Sequence, residues 1–279
     1  MSNPCLYIVA TPIGNLNDFS NRAKEVLSSV DVIAAEDTRE TKKLLSLTGI
    51  KHTKKFIAYE DHFEQEKLQN IIDILNQGLS VALVSDAGSP LISDPGYKLV
   101  RECRKQGIKI TTVPGCCALI SALQLSGLPT NRFMFAGFVP NKDKARIDFF
   151  EELKDINSTI AVYETAVRIL KSLYAIKEIM QSREVAIARE ITKMYEECIS
   201  GEIDDVIKQI EEKPIKGEIV IVISPPLKKC SDDFDIDEVL SEELKKNSLK
   251  DAVKIICEKF NLKRSYVYEK ALQIKDNSL

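Results

Sequence analysis

The sequence is poor in the residues that most often hold a metal ion or form disulfides. Only two histidines, His52 and His62, occur in 279 residues, and no Cys/His cluster has the spacing of zinc ligands. The seven cysteines are odd in number and include no CxxC pair, which is typical of reduced thiols. The sequence therefore predicts a cytoplasmic protein without a bound metal.

The sequence also lacks targeting segments and the common nucleotide-binding motifs. No apolar run approaches ~20 residues, and the first residues lack the basic and then apolar pattern of a secretion signal, so we expect no membrane association. Neither GxGxxG nor GxxxxGK(S/T) occurs, which argues against a standard dinucleotide site and a P-loop. The net charge of −3 gives no overall attraction to nucleic acid, so any such affinity must come from local patches.

What is present in the first half is an alternation of short apolar runs and helical segments. The predicted strands are 6–10, 31–35, 56–59, 81–84 and 108–113. The predicted helices cover about 18–29, 38–47, 66–76 and the residues up to 106. Strands joined in this way by helices predict a mostly parallel sheet with right-handed crossovers.

The loop 85–96, with the sequence SDAGSPLISDPG, directly follows the apolar run 81–84. Its two prolines and two glycines end the strand, and Gly88 permits a close backbone approach that a Cβ atom would block. A rigid loop that leaves a central strand is a typical place for an α/β protein to bind a small molecule. The alternative interpretation is an ordinary turn between a strand and a helix.

Four other clusters of polar, Gly or Pro residues also follow predicted strands. With the loop above, the clusters are TPIGN at 11–15, EDTR at 36–39, EDH at 60–62, SDAGSP at 85–90 and PGCC at 114–117. Because the carboxyl ends of parallel strands share one edge of a sheet, we expect these clusters to converge on one crevice.

The second half predicts a different α/β unit, with strands at 133–139, 160–163, 185–188 and 219–223. Helices are predicted near 144–154, 166–180 and 203–211. We place an N-terminal α/β domain at 1–114 and a C-terminal α/β domain at 115–226, with a cleft between them. The remainder, 227–279, is predicted to be an acidic linker up to residue 243 and then a basic helical tail.

That tail concentrates positive charge in a chain that is slightly acidic overall. Residues 245–275 hold nine Lys or Arg side chains against Asp251, Glu258 and Glu269. Ser248 is predicted to cap a helix whose apolar side chains share one face. Two basic helices with tyrosines suit contact with an RNA backbone or with bases. The alternative is a solvated cap that packs on the rest of the protein.

Six segments, in this order, resemble the tetrapyrrole methylase superfamily. They are IVATPIGNLNDFSNRA (8–23), AAEDTR (34–39), SDAGSPLISDPG (85–96), VPGCCALISALQLSGLP (113–129), YET (163–165) and AREITK (188–193). The resemblance covers most of the chain and is closest to members that methylate small-subunit ribosomal RNA. It implies two α/β domains with a cleft, a small helical C-terminal tail and a homodimer. The implied reaction moves a methyl group from S-adenosylmethionine to the ribose 2′-oxygen of a decoding-centre cytidine in 16S rRNA, within the small ribosomal subunit.

The resemblance also implies which residues contact the methyl donor. These positions are Ile13, Gly14, Ala87, Gly88, Ser89, Pro90, Ile92, Cys117, Ala118, Glu164 and Ile191. The sequence departs from the superfamily pattern at two of them, where Ser89 replaces the usual Asp and Cys117 the usual Thr. Both departures suggest that backbone contacts dominate donor binding.

The candidate catalytic residues are Asp37 and His62, either of which would accept the proton of the ribose hydroxyl. The alternative is that Asp37 caps the helix that begins near Thr38 and that His62 is a surface residue. The candidate RNA-binding cations are Arg39, Arg168, Arg189, Lys193, Lys263 and Arg264. For the cations of the second α/β unit, the alternative is surface ion pairing.

Two other functions remain open from the residues alone. A small-molecule methylase of the same fold is disfavoured by TPIGN, which replaces a more Gly-rich loop, and by the basic tail. A non-catalytic protein that binds RNA through its tail would not be stabilised by S-adenosylmethionine, because a ligand must bind the native state to stabilise it.

Overall fold

The structure, a computed structural model, describes residues 4–51, 54–59, 64–226, 236–260 and 264–276. The chain forms two compact units, Met1–Pro225 and Pro226–Leu279. The first unit holds two five-stranded sheets with their helices, and the second is helical where it is described. This α/β architecture confirms the predicted fold class, whereas the division at residues 114 and 115 stays a prediction. None of the described helices is long and apolar enough to cross a membrane.

The first sheet is wholly parallel, with the strand order β3-β2-β4-β1-β5. Its strands are β1 (Leu6–Val9), β2 (Val32–Ala35), β3 (Lys55–Ala58), β4 (Val81–Val84) and β5 (Ile110–Val113). Its helices are α1 (Asn21–Ser29), α2 (Thr38–Leu47), α3 (Glu64–Asn76) and α4 (Tyr97–Lys105). Alternate residues of β4 face two different apolar clusters, so helices cover both faces of the sheet. The predicted parallel sheet is confirmed.

Helix α1 begins later than the sequence pattern predicts. Residues Leu16–Asp18 form a short 3₁₀ helix instead of the first turn of α1. The hydroxyl of Ser20 then accepts a hydrogen bond from the backbone N–H of Ala23 at 3.1 Å. Because Ser20 fills the N-cap position, the α-helix begins at Asn21.

The second sheet is mixed, with the order β6-β7-β10-β8-β9. Its strands are β6 (Phe133–Phe138), β7 (Thr159–Thr165), β8 (Glu184–Arg189), β9 (Glu197–Glu202) and β10 (Glu218–Ile223). Strands β6 and β7 pair in parallel, and the other three pairs are antiparallel. Strand β9 was not predicted from the sequence, because it is an edge strand with partly exposed side chains and lacks a continuous apolar run.

Helices cover both faces of this second sheet. On one face lie α6 (Asp143–Leu153), α7 (Ile169–Met180) and α8 (Ile203–Glu212). On the other face lies α5 (Ala118–Ser126), which follows β5 of the first sheet and packs through Leu119 and Leu123. Ile13, from the loop after β1, belongs to the same apolar cluster. The loops of the first sheet therefore meet the second sheet directly.

The described part of the second unit consists of α9 (Ile236–Lys246), α10 (Leu249–Phe260) and α11 (Arg264–Asp276). The linker predicted to run up to residue 243 ends earlier, because Leu240 of α9 is buried in the core of this unit. Ser248 caps α10 as predicted, since its hydroxyl accepts a hydrogen bond from the N–H of Asp251 at 3.3 Å. Lys263 lies outside the described residues, and Arg264 is exposed at the start of α11.

Candidate active site

A cavity of about 380 Å³ lies where the carboxyl ends of the first sheet's strands meet the second sheet. This volume is within the usual range for a small-molecule site. Its lining comes from loops of the first sheet, from the start of α5 and from the second sheet. The lining residues are Ile13, Glu36, Asp86–Ser89, Ile92–Asp94, Cys117, Ala118, Phe138, Tyr163–Thr165, Ile191 and Gly217–Val220.

Hydrogen bonds join three of the loops that the sequence predicted to converge. Thr11 and Gly88 exchange two backbone hydrogen bonds, of 2.8 and 3.1 Å. The hydroxyl of Ser89 donates to the carbonyl of Cys116 at 3.1 Å. TPIGN, SDAGSP and PGCC therefore form one wall, and Glu36 of EDTR reaches the cavity as well. The EDH cluster at 60–62 lies outside the described residues.

The loop 85–96 holds an unusual backbone. Gly88 has a φ of +85°, and the non-glycine residues Leu91 and Ser93 have φ values of +73° and +67°. Positive φ values are costly for residues with a Cβ atom, and such strained residues cluster at functional sites. A Cβ atom on Gly88 would lie 3.3 Å from the side chain of Ile13, inside the cavity wall.

Nine of the eleven predicted donor positions line the cavity. They are Ile13, Ala87, Gly88, Ser89, Ile92, Cys117, Ala118, Glu164 and Ile191. Gly14 instead packs against Lys193, whose Cγ atom would lie 2.5 Å from a Cβ atom at this glycine. Pro90, in the loop 85–96, is buried and does not line the cavity. The structure thus brings most of the predicted set together around one space, while their role in donor binding stays a prediction.

Two carboxylates in the cavity wall, Asp86 and Asp94, were not predicted as site residues. Desolvation raises the pKa of Asp94, the hydrogen bond with the Ser85 side chain opposes this rise, and the nearby charge of Asp86 adds to it. A carboxyl group that is partly desolvated in this way holds its proton more readily than one in water. Asp94 follows the strained Ser93, which is a signal that the sequence alone does not carry.

The predicted catalytic residue Asp37 caps α2, which is the alternative considered for it. Its carboxylate accepts hydrogen bonds from the backbone N–H of Arg39 at 2.7 Å and from the guanidinium of Arg39 at 2.6 Å. These contacts lower the pKa of Asp37 to about 2, so the carboxylate is a weak proton acceptor at neutral pH. Asp37 does not line the cavity, and His62 lies outside the described residues. Both catalytic assignments stay predictions.

Glu164 contributes a buried carboxylate to the second-sheet wall, at the end of β7. It accepts hydrogen bonds from the N–H of Thr165 at 2.7 Å and from the hydroxyl of Ser172. The guanidinium of Arg168 lies 2.6 Å from the same carboxylate. The charge of Glu164 is thus compensated within the protein, which is what a buried carboxylate requires.

The four cations that were predicted to bind RNA in the first unit are all ion-paired. Arg39 pairs with Asp37, Arg168 with Glu164, and Arg189 with Glu197, while Lys193 contacts both Glu190 and Glu218. The alternative of ion pairing therefore describes their contacts in this structure. Their role in RNA binding stays a prediction, because a phosphate would have to compete with these carboxylates.

Comparison with protein families places these features in a wider group. Residues 5–207 match the family model of the tetrapyrrole (corrin/porphyrin) methylases. The chain is also similar to curated relatives named Ribosomal RNA small subunit methyltransferase I, two of them over almost their whole length. The relative from Vibrio cholerae is 44% identical over 97% of this chain and 95% of its own length. The relative from Erythrobacter litoralis is 45% identical over 98% and 96%, respectively.

Solved structures with the same fold are more distant in sequence. A diphthine synthase has a TM-score of 0.58 at 15% identity, over 79% of this chain and 89% of that protein. The uroporphyrin-III C-methyl transferase of Thermus thermophilus, solved in complex with S-adenosyl homocysteine, has a TM-score of 0.52 at 14% identity. That match covers 79% of this chain and 96% of the Thermus protein. At these identities, the likeness shows that the fold is shared.

Proposed function

The chain belongs to the tetrapyrrole methylase family, and from this premise we propose that it methylates 16S rRNA with S-adenosylmethionine as the donor. Membership of this family confirms the predicted methyltransferase activity. We further propose that the acceptor is the ribose 2′-oxygen of a decoding-centre cytidine within the small ribosomal subunit. The observation that carries the proposal is the cavity, around which nine predicted donor positions meet.

The cavity residues suit the proposed donor. Gly88 leaves space that a Cβ atom would fill, and Ile13, Ala118 and Ile191 provide apolar surface. When bound, S-adenosylmethionine supplies a methyl group that is already activated by its sulfonium. The residues of the chain therefore have to position the ribose hydroxyl and accept its proton.

We propose Asp94 as the proton acceptor, in addition to the earlier candidates Asp37 and His62. Asp94 lines the cavity, whereas Asp37 does not. The Asp94→Asn variant is expected to lower kcat by about a hundredfold, the usual contribution of a general base. An unchanged kcat in Asp94→Asn would remove this residue from the reaction.

Stability measurements separate the two aspartates, because their pKa shifts have opposite signs. The pKa of Asp94 is raised, so its ionisation in the folded state is unfavourable and disfavours folding as pH rises above 4. Asp94→Asn is expected to keep or raise the Tm at pH 7.

The pKa of Asp37 is lowered to about 2, so its stabilising contribution is present above pH 4 and is lost as pH falls toward 2. Asp37→Asn is expected to lower the Tm at pH 7, as melting curves at pH 7 and pH 3 would show.

We propose that the second unit contributes to RNA binding through its basic helices. Lys254 and Arg264 are exposed on α10 and α11, and the core of this unit is formed by other side chains. Replacing both with Glu is expected to weaken subunit binding and to reduce its salt slope by about two units. The Tm and the affinity for the donor should not change. A lower Tm with unchanged RNA binding would show that the helices are only structural, and RNA contacts would then be sought at the four cations of the first unit.

We also propose that the enzyme is a cytoplasmic homodimer. Exposed apolar side chains on α5 and at the edge strand β6, among them Ile120, Phe133 and Met134, support an association of this kind. A monomer mass in light scattering at micromolar concentration would contradict the dimer.

One experiment tests the proposed function against its rivals. The protein is incubated with labelled S-adenosylmethionine and either 30S subunits, naked 16S rRNA or a porphyrinoid, and the methylated nucleotide is mapped. We expect label at one cytidine 2′-oxygen in the subunit. Label in the porphyrinoid alone would favour a small-molecule methylase. No transfer, together with a Tm that the donor does not raise, would favour a non-catalytic RNA-binding protein.

A further inference from the structure

A β-bulge turns one aromatic ring of β6 toward the cavity. Phe135 pairs with Ala161 and Phe138 pairs with Tyr163, so three steps along β6 match two along β7. Gly137, inside the bulge, has a φ of +77°. In a regular strand, residues three apart point to opposite faces of the sheet. The bulge cancels this alternation, and bulges beside active sites are known to redirect a side chain.

The result of the bulge is a cluster of three aromatic rings. Both Phe135 and Phe138 meet Tyr163 edge to face, with ring centroids 4.8 and 5.2 Å away. Burial raises the pKa of Tyr163 to about 12, so its hydroxyl stays protonated at neutral pH. Tyr163 and Phe138 both line the cavity. The Phe138 ring thus packs against a neutral tyrosine in the cavity wall.

Phe138 nevertheless remains 56% exposed. A ring that only filled the hydrophobic core would be buried. A regular edge strand can also expose a phenylalanine to water, so exposure alone does not explain the bulge. The combination of a redirected backbone, a supporting ring and an exposed ring at a cavity indicates a surface for a flat ligand.

The residues near Phe138 favour the stacking of a flat ligand on its ring over ionic contacts with the ligand. Val167, Met194 and Tyr195 are exposed on the segments that follow β7 and β8, and β6, β7 and β8 run in the same direction. These residues therefore belong to the same edge of the second sheet as Phe138. The cations there, Arg168, Arg189 and Lys193, are held by carboxylates. This edge thus presents apolar and aromatic surface, with its cations already paired.

We propose that Phe138 is the platform on which the base of the target nucleotide stacks after it leaves its neighbours in the RNA. This inference rests on the proposed function and specifies its substrate as an unstacked nucleotide. RNA-binding proteins commonly hold splayed bases on aromatic side chains. In this proposal the cavity residues around Gly88 hold the donor, and the exposed Phe138 ring meets the RNA.

The test compares four variants in methyl transfer from S-adenosylmethionine to 30S subunits. Phe138→Ala is expected to lower kcat/KM for the subunit about 10- to 100-fold, the usual effect of losing one base–aromatic stack. Phe138→Leu keeps apolar volume without a ring and should be similarly impaired, whereas Phe138→Tyr should retain most of the activity. Tyr97→Ala is the matched control and should retain wild-type kcat/KM, because this aromatic ring is 64% exposed at the start of α4 and does not line the cavity.

Calorimetric titration with the donor and a melting curve accompany each variant. The proposal expects wild-type donor affinity and Tm in Phe138→Ala, since the ring is mainly exposed. Wild-type kcat/KM in this variant, or full activity in Phe138→Leu, would overturn the platform. A loss of donor affinity in Phe138→Ala would overturn it as well, by assigning the ring to the donor. If the wild-type protein itself leaves subunits unmethylated, the proposed function fails, independently of Phe138.

Discussion

Gly88→Val is expected to abolish binding of S-adenosylmethionine while most of the fold persists. The two methyl groups of valine would enter the cavity next to Ile13, since even a Cβ atom lies 3.3 Å from that side chain. The φ of +85° is also unfavourable for a β-branched residue. We expect at least a hundredfold loss of affinity in calorimetric titration.

The control for backbone strain is Gly78→Val. Gly78 has the same φ of +85°, and apart from its chain neighbours no atom of the described structure lies within 4 Å of a Cβ atom built there. It lies just after α3, away from the cavity lining. Both variants should therefore lose a similar amount of stability, about 1–2 kcal/mol, and only Gly88→Val should lose the donor. Normal donor affinity in Gly88→Val would exclude the loop 85–96 from the donor site.

Glu164→Ala is expected to give a large loss of stability, about 3 kcal/mol, because it leaves Arg168 and Ser172 without their shared carboxylate. The Glu164 side chain is fully buried. Since Glu164 also lines the cavity, donor affinity should fall as well. Urea unfolding midpoints and calorimetry at one pH measure the two effects.

The matched variant is Glu197→Ala, which breaks the pair with Arg189 at the same edge of the sheet. Glu197 retains 35% of its side-chain exposure, so water replaces much of the lost contact. We expect a cost of at most about 1 kcal/mol and no change in donor affinity. Equal losses of stability in the two variants would show that the buried Glu164 contacts stabilise the fold no more than the partly exposed Glu197 pair.

The parts of this protein that sequence reasoning predicted depend on local patterns. The run 81–84 is apolar throughout and is followed by Gly88 and Pro90, so both the buried strand and its loop could be identified. The parallel order of the first sheet follows from its strand–helix alternation, and the convergence of loops follows from the parallel order. Family resemblance then supplied the donor positions.

The parts that could not be predicted depend on long-range geometry. Strand β9 is half-exposed, and its pairing with β8 leaves little trace in its composition. The direction of the Phe138 side chain is set by the bulge at Gly137, because a shift of one residue in the register moves a side chain to the other face of the sheet. The role of Asp37 was open because the same carboxylate suits a cap and a base. Its hydrogen bonds to Arg39 describe a cap.

The packing of Ile13 affects the rate at which ligands leave the cavity. This side chain, 9% exposed, leaves the loop after β1 and enters the apolar cluster of the second sheet beside Leu119 and Ile191. Any motion that separates the two walls of the cavity must withdraw Ile13 into water, at a cost of about 2–3 kcal/mol. An open form with that energy is populated at about 1%. A ligand that leaves only when the walls separate therefore dissociates from a rarely populated open form. Mutations that shorten Ile13 are expected to increase the dissociation rate.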